Sequence, residues 1–146
     1  MRYGLVKPLL ITPATLSDSD FVYSLRNRNE DQYCYFSGSN FTMLEHQKFW
    51  QVNYLFYWIA TLDTLRLGFY GIVDGDFRFA VCPGHRGLGI GSKLIQHAIT
   101  TSNLNTVRVA KNNLASIKCF LGNGFNLSAE EKIGPFSRDC LVFKRF

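Results

Sequence analysis

The sequence has few cysteines, and none of them lie in a pattern that indicates a metal site. The four are Cys34, Cys82, Cys119 and Cys140; no two form a C-x-x-C pair, and no histidines cluster beside them. Zinc sites use closely spaced cysteine and histidine ligands. We therefore expect no metal. Isolated thiols are typical of a reducing compartment, and they predict a cytoplasmic protein.

Long apolar runs are also missing. The longest, YLFYWIATL at 54–62, is far shorter than the roughly 20 residues that a membrane-spanning helix needs. After Met1 and Arg2 the apolar stretch is short and is interrupted by Pro8 and Pro13, so that no signal peptide is predicted. These absences exclude an integral membrane protein, and we expect no membrane partner.

Charge is sparse as well. Only 18% of the residues are charged, and 16 Lys and Arg against 11 Asp and Glu give a net charge of +5. The basic residues are scattered, with dense spots only at Arg26 and Arg28 and at the C-terminus. This mild excess favours anionic ligands. Because the basic residues form no run, we expect no nucleic-acid partner.

What the sequence does contain is enough apolar residues for one core. Of the 146 residues 47% are hydrophobic and 13 are Phe, which predicts a single domain over 1–146. The periodicity predicts a mixed α/β fold with the order β-α-α-β-β-β-α-β-α-β-β, antiparallel at first. The located segments are strands at 9–14, 56–63, 67–73, 77–81, 105–110 and 140–146, and helices over 15–27, after 42, over 92–101 and over 112–125, with a loop at 31–40.

Helix-end and turn residues support these boundaries. A Ser or Thr followed three residues later by an acidic residue indicates a helix start, and Asp-Gly indicates a hairpin. The signals are Ser17–Asp20, Thr42–Glu45, Asp74-Gly75, a cap at Asn112 or Asn113, and a helix end at Gly122 or Gly124.

The segment VCPGHRGLGIGSK at 81–93 indicates an anion site. Gly87, Gly89 and Gly91 alternate between a predicted strand and a predicted helix. A helix N-terminus leaves backbone N–H groups unpaired, glycines let an anion approach them, and Arg86 and Lys93 add positive charge. The segment matches neither the P-loop pattern, since Ser92 precedes the lysine, nor the dinucleotide pattern, which needs a third glycine at position 92.

At these residues the chain resembles the GNAT N-acetyltransferase superfamily. That family has the motif [Q/R]-x-x-G-x-[G/A] after a strand ending in V-x-P, and here Val81 and Pro83 precede Arg86 to Gly91. A second family block, N-x-x-[AS]-x-x-x-Y-x-x-x-G-F, is similar to the segment 113–125. The element order also matches, so that the resemblance implies a GNAT-like acyl-CoA N-acyltransferase fold.

The resemblance implies that acetyl-CoA is the co-substrate and acetyl donor. The pyrophosphate would bind backbone N–H groups at the start of the third helix, and the pantetheine arm would pair with the strand before it. The residues that the resemblance implies for this site are Phe79, Ala80, Val81, Arg86, Gly87, Leu88, Gly89, Ile90, Gly91, Ser92, Asn113, Ser116 and Phe120.

The family's reaction is attack of a neutral amine on the thioester, with the oxyanion stabilised by a strand N–H group. The resemblance assigns that group to Val81 or Cys82. For the general base we consider Glu45, His46 and Asp76. His46 has a suitable ordinary pKa, but it is equally a surface helix residue, and Asp76 better fits a turn.

The family's tyrosine acid is replaced by Phe120, which has no proton to donate. Ser116 lies one helical turn earlier, and its hydroxyl, or a water that it holds, is our substitute. A helix-surface serine is the alternative. A thiolate is a tolerable leaving group without an acid.

The N-terminal half resembles GNAT enzymes that acetylate nucleotide-linked amino sugars. The matching residues are Arg26-Asn27, Phe36, Glu45-His46 and Phe49-Trp50, with Tyr33 and Tyr35 as candidate walls of the acceptor pocket. We therefore expect a small-molecule amine as the partner, and a homodimer is an assembly state that we consider. A protein N-terminus as acceptor, or a non-catalytic acyl-CoA-binding module, are the alternatives, whereas a polyamine fits less well because this half offers few carboxylates.

Overall fold

A computed structural model describes residues 8–27, 42–133 and 138–146 of the chain. The described elements follow the predicted order, which is confirmed. They are β1 (Leu9–Pro13), α1 (Ser19–Arg26), α2 (Met43–Asn53), β2 (Tyr57–Leu62), β3 (Leu65–Val73), β4 (Asp76–Val81), α3 (Ile90–Ser102), β5 (Thr106–Ala110), α4 (Leu114–Leu121), β6 (Asn126–Ile133) and β7 (Arg138–Lys144). The predicted loop at 31–40 lies outside the described residues.

The strands form two antiparallel sheets. One has the order β1-β2-β3-β4 and the other β5-β7-β6. Strands β4 and β5 lie next to each other, but within the described part of the chain no ladder joins them, so that each sheet has an open edge at this point. Helix α3 connects these two strands, and it brings the loop before it to the gap.

Tight turns and caps fix the ends of several elements. Asp74 and Gly75 have φ angles of 53° and 78° and form the predicted two-residue hairpin turn between β3 and β4. The Thr42–Glu45 capping box is confirmed: the Glu45 N–H donates to Thr42 Oγ1 at 3.1 Å, and the Thr42 N–H donates to Glu45 Oε1 at 2.8 Å. These local contacts fix the start of α2 without help from distant residues.

The predicted capping box at Ser17 and Asp20 is wrong. The Thr15 N–H donates to Asp18 Oδ2 at 2.8 Å instead, and a short 3-10 turn at Leu16–Asp18 precedes α1. Asp18 is buried and also accepts a contact from Arg66 at 2.9 Å. The ion pair with Arg66 of β3 favours a cap at Thr15 over one at Ser17. The local sequence pattern cannot predict this choice, because Arg66 is far away in the chain.

Two apolar clusters lie on opposite faces of the first sheet. One contains residues of α3, α4 and β5, and the other contains residues of α1 and α2. Alternation along β4 divides its side chains between them: Phe77, Phe79 and Val81 pack with the first cluster, and Ala80 packs with the second. In the described part of the chain, no helix is long and apolar enough to cross a membrane.

Candidate active site

A cleft of about 850 Å³ opens where β4 and β5 separate. Its walls are β4, the loop before α3, the first residues of α3, the end of β5 and the exposed side of α4. The glycine loop is at one end of β4, and the strand's first residues, Asp76 to Arg78, line the cleft toward the other end. The cleft therefore offers strand edge, helix N-terminus and loop backbone to one elongated ligand.

The hydrogen-bonding direction of β4 determines which backbone groups face the gap. The Cys82 N–H donates to the Leu67 carbonyl of β3 at 2.8 Å. Because these directions alternate in an antiparallel ladder, the N–H groups of Phe79 and Val81 point away from β3, toward the gap. Of the two oxyanion donors that the sequence left open, Val81 fits this geometry and Cys82 does not.

The loop before α3 has backbone that requires glycine and space for a ligand. Gly87 and Gly89 have φ angles of +83° and +81°, and a Cβ added at either residue would meet no atom within 4 Å. Gly91 differs, because its added Cβ would lie 3.3 Å from the Phe79 ring. The first two glycines therefore provide open space for an anion, and the third provides close packing of α3 on β4.

The N-terminus of α3 has no side-chain cap. Gly89 is the N-cap residue, and the Lys93 N–H is the donor that bonds to the Gly89 carbonyl. The amides of Ile90, Gly91 and Ser92 precede that first turn bond, and these three residues line the cleft. Uncapped amides at the positive end of a helix are a suitable site for a diphosphate.

Among the basic residues of this segment, Arg86 lies in the cleft wall. Its Nε donates to the Val81 carbonyl at 3.2 Å, so that its side chain crosses the end of β4. Leu88 is 67% exposed, and neither Leu88 nor Lys93 is among the described residues that line the cleft. The predicted contact of Leu88 with the ligand therefore depends on its backbone alone.

The second sequence block forms the wall on the α4 side. The Asn113 side chain caps α4 by accepting the Ser116 N–H at 3.3 Å, which decides between the two predicted capping residues. Ser116 and Phe120 both line the cleft, and Phe120 is only 2% exposed. Burial raises the pKa of the nearby Cys119 thiol, which makes it a poor nucleophile.

The structure does not bring His46 and Glu45 to the cleft. His46 is 1% exposed, packs on the Trp50 ring, and has its Nε2 3.0 Å from the Ser19 carbonyl. Its burial lowers its pKa. Glu45 is exposed, and its hydrogen bonds from Thr42 lower its pKa. Neither is among the described residues that line the cleft, and their catalytic roles stay a prediction without support from this geometry.

Three polar residues lie at the far end of the cleft: Arg26 and Asp76 were candidates from the sequence, and Arg78 was not. Arg26, Asp76 and Arg78 all line it, and Arg78 Nη2 donates to Asp76 Oδ2 at 2.8 Å. Arg78 lies between Phe77 and Phe79 in β4. A charged residue on the other face of this strand is the sequence feature that could have indicated its role. Tyr33, Tyr35 and Phe36, the other predicted acceptor residues, lie outside the described residues.

No group of three or more potential metal ligands occurs among the residues that the structure describes. The site has instead backbone donors, arginines and a single described carboxylate in its wall. These groups suit the binding of anions and the transfer of protons.

Comparison of the whole structure with solved structures shows the same fold in known acetyltransferases. A putative acetyltransferase from Salmonella typhimurium with acetyl-CoA has a TM-score of 0.72 at 18% identity, over 92% of this chain and 91% of that chain. Ribosomal-protein-alanine N-acetyltransferase from Brucella melitensis has a TM-score of 0.75 at 18% identity, over 94% and 99%. Spermidine N-acetyltransferase from Vibrio cholerae, in complex with CoA and spermine, has a TM-score of 0.74 at 16% identity, over 92% and 93%.

The sequence itself matches the family described as Acetyltransferase (GNAT) domain over residues 53–127, which is more than half of the chain. No curated protein shows a significant match. The matched region includes β2 to β5, α3 and α4, and so it contains the whole described cleft apart from Arg26. The predictions of a GNAT fold and of acetyl-CoA as co-substrate are confirmed at the level of the family. The chain belongs to the GNAT acetyltransferase family, and it is an acetyl-CoA-dependent N-acetyltransferase.

Proposed function

We propose that the protein transfers the acetyl group of acetyl-CoA to the primary amine of a small molecule. The observation that carries this proposal is the cleft between β4 and β5, which has a glycine loop at one end and charged side chains at the other. A concave site of this kind suits a small acceptor. The finer proposal, a nucleotide-linked amino sugar, is supported by the sequence pattern around Arg26 and Phe49 and by the arginines of the cleft.

The binding of the donor follows from the backbone. We assign the diphosphate of CoA to the amides of the segment from Arg86 to Ser92, where Gly87 and Gly89 leave open space. The pantetheine arm would lie along the open edge of β4, where the backbone groups of Phe79 face the gap and the Val81 carbonyl already accepts the Arg86 Nε–H group. Acetyl-CoA supplies an activated thioester, and the Val81 N–H would stabilise negative charge on its carbonyl oxygen.

A proton must leave the attacking amine, and we propose that water along the cleft carries it to Asp76, which lies about 16 Å from Val81 along the strand. Asp76 has the one carboxylate among the described residues that line the cleft. Its side chain is 44% exposed, and so it can pass the proton on to solvent.

The test is release of free thiol from acetyl-CoA in the presence of single amines. The panel contains a nucleotide-linked amino sugar, spermidine and a peptide with an N-terminal alanine. Turnover with the amino sugar at low concentration, and not with the peptide, would support the proposal. Turnover with the peptide alone would favour a protein N-terminal acetyltransferase, and binding of CoA without any turnover would favour a non-catalytic module.

We also propose a cellular location and an assembly state for the protein. We infer a cytoplasmic enzyme, because the cysteines are isolated in the sequence and oxidising compartments favour disulfides. Fractionation of cells that express the protein tests this. The predicted option of a homodimer is tested by measuring the mass in solution.

A further inference from the structure

Two arginines line the cleft end that lies away from the glycine loop. Arg26 ends α1, and Arg78 projects from β4 on the face opposite Phe77 and Phe79. The Phe49 ring holds both of them: its centroid lies 5.9 Å from Arg26 Cζ and 5.7 Å from Arg78 Cζ. The two guanidinium groups, which come from separate elements, therefore converge on one aromatic side chain.

Arg78 uses only part of its hydrogen-bonding capacity within the protein. Its Nη2 bonds to Asp76, while its Nε is buried and has no hydrogen-bond partner among the described residues. The side chain as a whole is 24% exposed and lies in the cleft wall. A guanidinium has five donors in a fixed planar fork, and a buried donor without a partner is unfavourable. The exposed quarter of the Arg78 side chain is the part to which a ligand in the cleft can add hydrogen bonds.

The position of Arg78 is maintained by rigid surroundings. Phe49 also meets the buried Tyr57 ring edge-on, with the centroids 6.2 Å apart. Burial raises the pKa of Tyr57, and the positive charges of Arg78 and Arg26 oppose this shift. A guanidinium held in this way loses little conformational freedom when an anion binds.

We propose that the acceptor amine carries an anionic group, a carboxylate or a phosphate, which binds Arg78 with Arg26 beside it. This inference rests on the proposed function, because it assigns the far end of the cleft to the acceptor. Carboxylates and phosphates are the groups that match the guanidinium fork. Three residues separate Arg78 from Val81, about 10 Å along the strand, which makes an acceptor with several bonds between amine and anion the best fit.

The same charges disfavour a polycation. Two guanidinium groups repel a polyamine, and Asp76, the one described carboxylate in the cleft wall, is already paired with Arg78. We therefore expect spermidine and spermine to be poor acceptors for this protein, although a solved structure of the same fold is a spermidine acetyltransferase.

The experiment compares matched amines with and without an anionic group. The pairs are glucosamine with glucosamine 6-phosphate and butylamine with 4-aminobutyrate, and spermidine is the cationic arm. We expect kcat/KM to be about 10- to 100-fold higher for at least one anionic member than for its neutral partner, as for a charge-assisted bond. Comparison of the phosphate pair with the carboxylate pair shows which of the two anionic groups the protein prefers.

The variant Arg78→Gln tests the residue itself. It should raise KM for the anionic acceptor about 10- to 100-fold, change KM for the neutral partner far less and keep CoA affinity, which reports an intact fold. Arg78→Lys keeps the charge but loses the fork, and so it should lie between. Lys132→Gln is the control, because it removes one positive charge outside the described lining of the cleft.

The outcomes separate this inference from the proposed function. Acetylation of neutral amines or spermidine in preference to the anionic members, or an unchanged KM in Arg78→Gln, would overturn the inference while the acetyltransferase proposal stands. If no amine is acetylated, the proposed function fails, and the inference is decided by thermal shift of the CoA-bound protein. In that case, stabilisation by glucosamine 6-phosphate or 4-aminobutyrate in wild type but not in Arg78→Gln supports it, and no stabilisation overturns it.

Discussion

The ring of Phe120 meets the ring of Phe79 edge-on, with the two centroids 5.7 Å apart. This contact joins α4 to β4 in the wall of the cleft. Phe77 and Phe125 also contact Phe120, so that the position has an apolar role in the core as well as a place in the cleft wall. The residue that replaces the family's tyrosine is thus well packed but chemically inert.

We predict that Phe120→Tyr raises kcat. The new hydroxyl would provide an acid for the departing thiolate at a position that lines the cleft. Steady-state thiol release measures the change. Phe125→Tyr is the control, because it puts a hydroxyl on a buried ring of the same cluster that is not part of the described cleft lining. A kcat that stays flat or falls in Phe120→Tyr, with the Tm kept, would show that no acid is missing.

Ser116 gives a second test of the acid. Its N–H forms the cap with Asn113, so that Ser116→Ala keeps that bond and removes only the hydroxyl. If the hydroxyl, or a water bound to it, protonates the thiolate, kcat should fall about tenfold or more, while the Tm stays unchanged. Ser102→Ala, at the end of α3, is the control. Equal kcat in both variants would make Ser116 a cleft-wall residue only.

The sequence was sufficient to predict the fold and the glycine loop that lines one end of the cleft. Residues close in the chain determine the element order, the Thr42–Glu45 cap and the Asp74-Gly75 turn. Alternating and helical patterns of apolar residues therefore predict the elements directly. The glycine loop is also local: the backbone angles of Gly87 and Gly89 are set by the turn that they form.

The acceptor end could not be predicted in the same way. Arg78 reaches the cleft because Phe49, about 30 residues earlier in the chain, supports it, and the Thr15–Asp18 cap depends on a contact with Arg66. The ordinary pKa of histidine suits a general base, but the packing of α2 on α1 buries His46. Contacts between distant segments decide these cases, and a single sequence holds no periodic signal of them.

Asp76→Asn should lower kcat if Asp76 accepts the amine proton. We expect a fall of more than about twofold, because the amide cannot take a proton at neutral pH. The same change removes the partner of Arg78, and KM for an anionic acceptor should therefore fall rather than rise. Asp74→Asn, two residues earlier in an exposed turn, is the control. A kcat within twofold of wild type would exclude Asp76 as the base.

Gly89→Ala should weaken CoA binding. A φ of +81° costs a residue with a Cβ about 1–2 kcal/mol, and the added methyl group would enter the space assigned to the diphosphate. Gly75→Ala has the same strain at φ +78° in the distant hairpin, and Gly84→Ala lies in the same loop without a positive φ. Calorimetric titration with CoA should show a loss of affinity for Gly89→Ala alone. Equal affinity in all three variants would contradict the assignment of this loop.

The burial of His46 predicts a pH-dependent stability. Burial lowers its pKa in the folded state, so that between that value and its unfolded value of 6.5 the unfolded chain binds more protons. Its contribution to the free energy of unfolding is therefore fully present above about pH 6.5 and is lost as the pH falls. Burial lowers the pKa of His97 as well, and wild type should show the sum of both effects.

Denaturant unfolding of wild type and His46→Gln from pH 7.5 to pH 5 measures this contribution. The stability of the variant should fall less steeply with decreasing pH, because glutamine binds no proton and its amide can still donate to the Ser19 carbonyl. Thiol release by His46→Gln should stay close to wild type, since the ring lies outside the described cleft lining. The opposite result would be that the stability of both proteins falls equally with pH while kcat of His46→Gln falls about a hundredfold. His46 would then be a catalytic base, and the packing between α1 and α2 would have to open during the reaction.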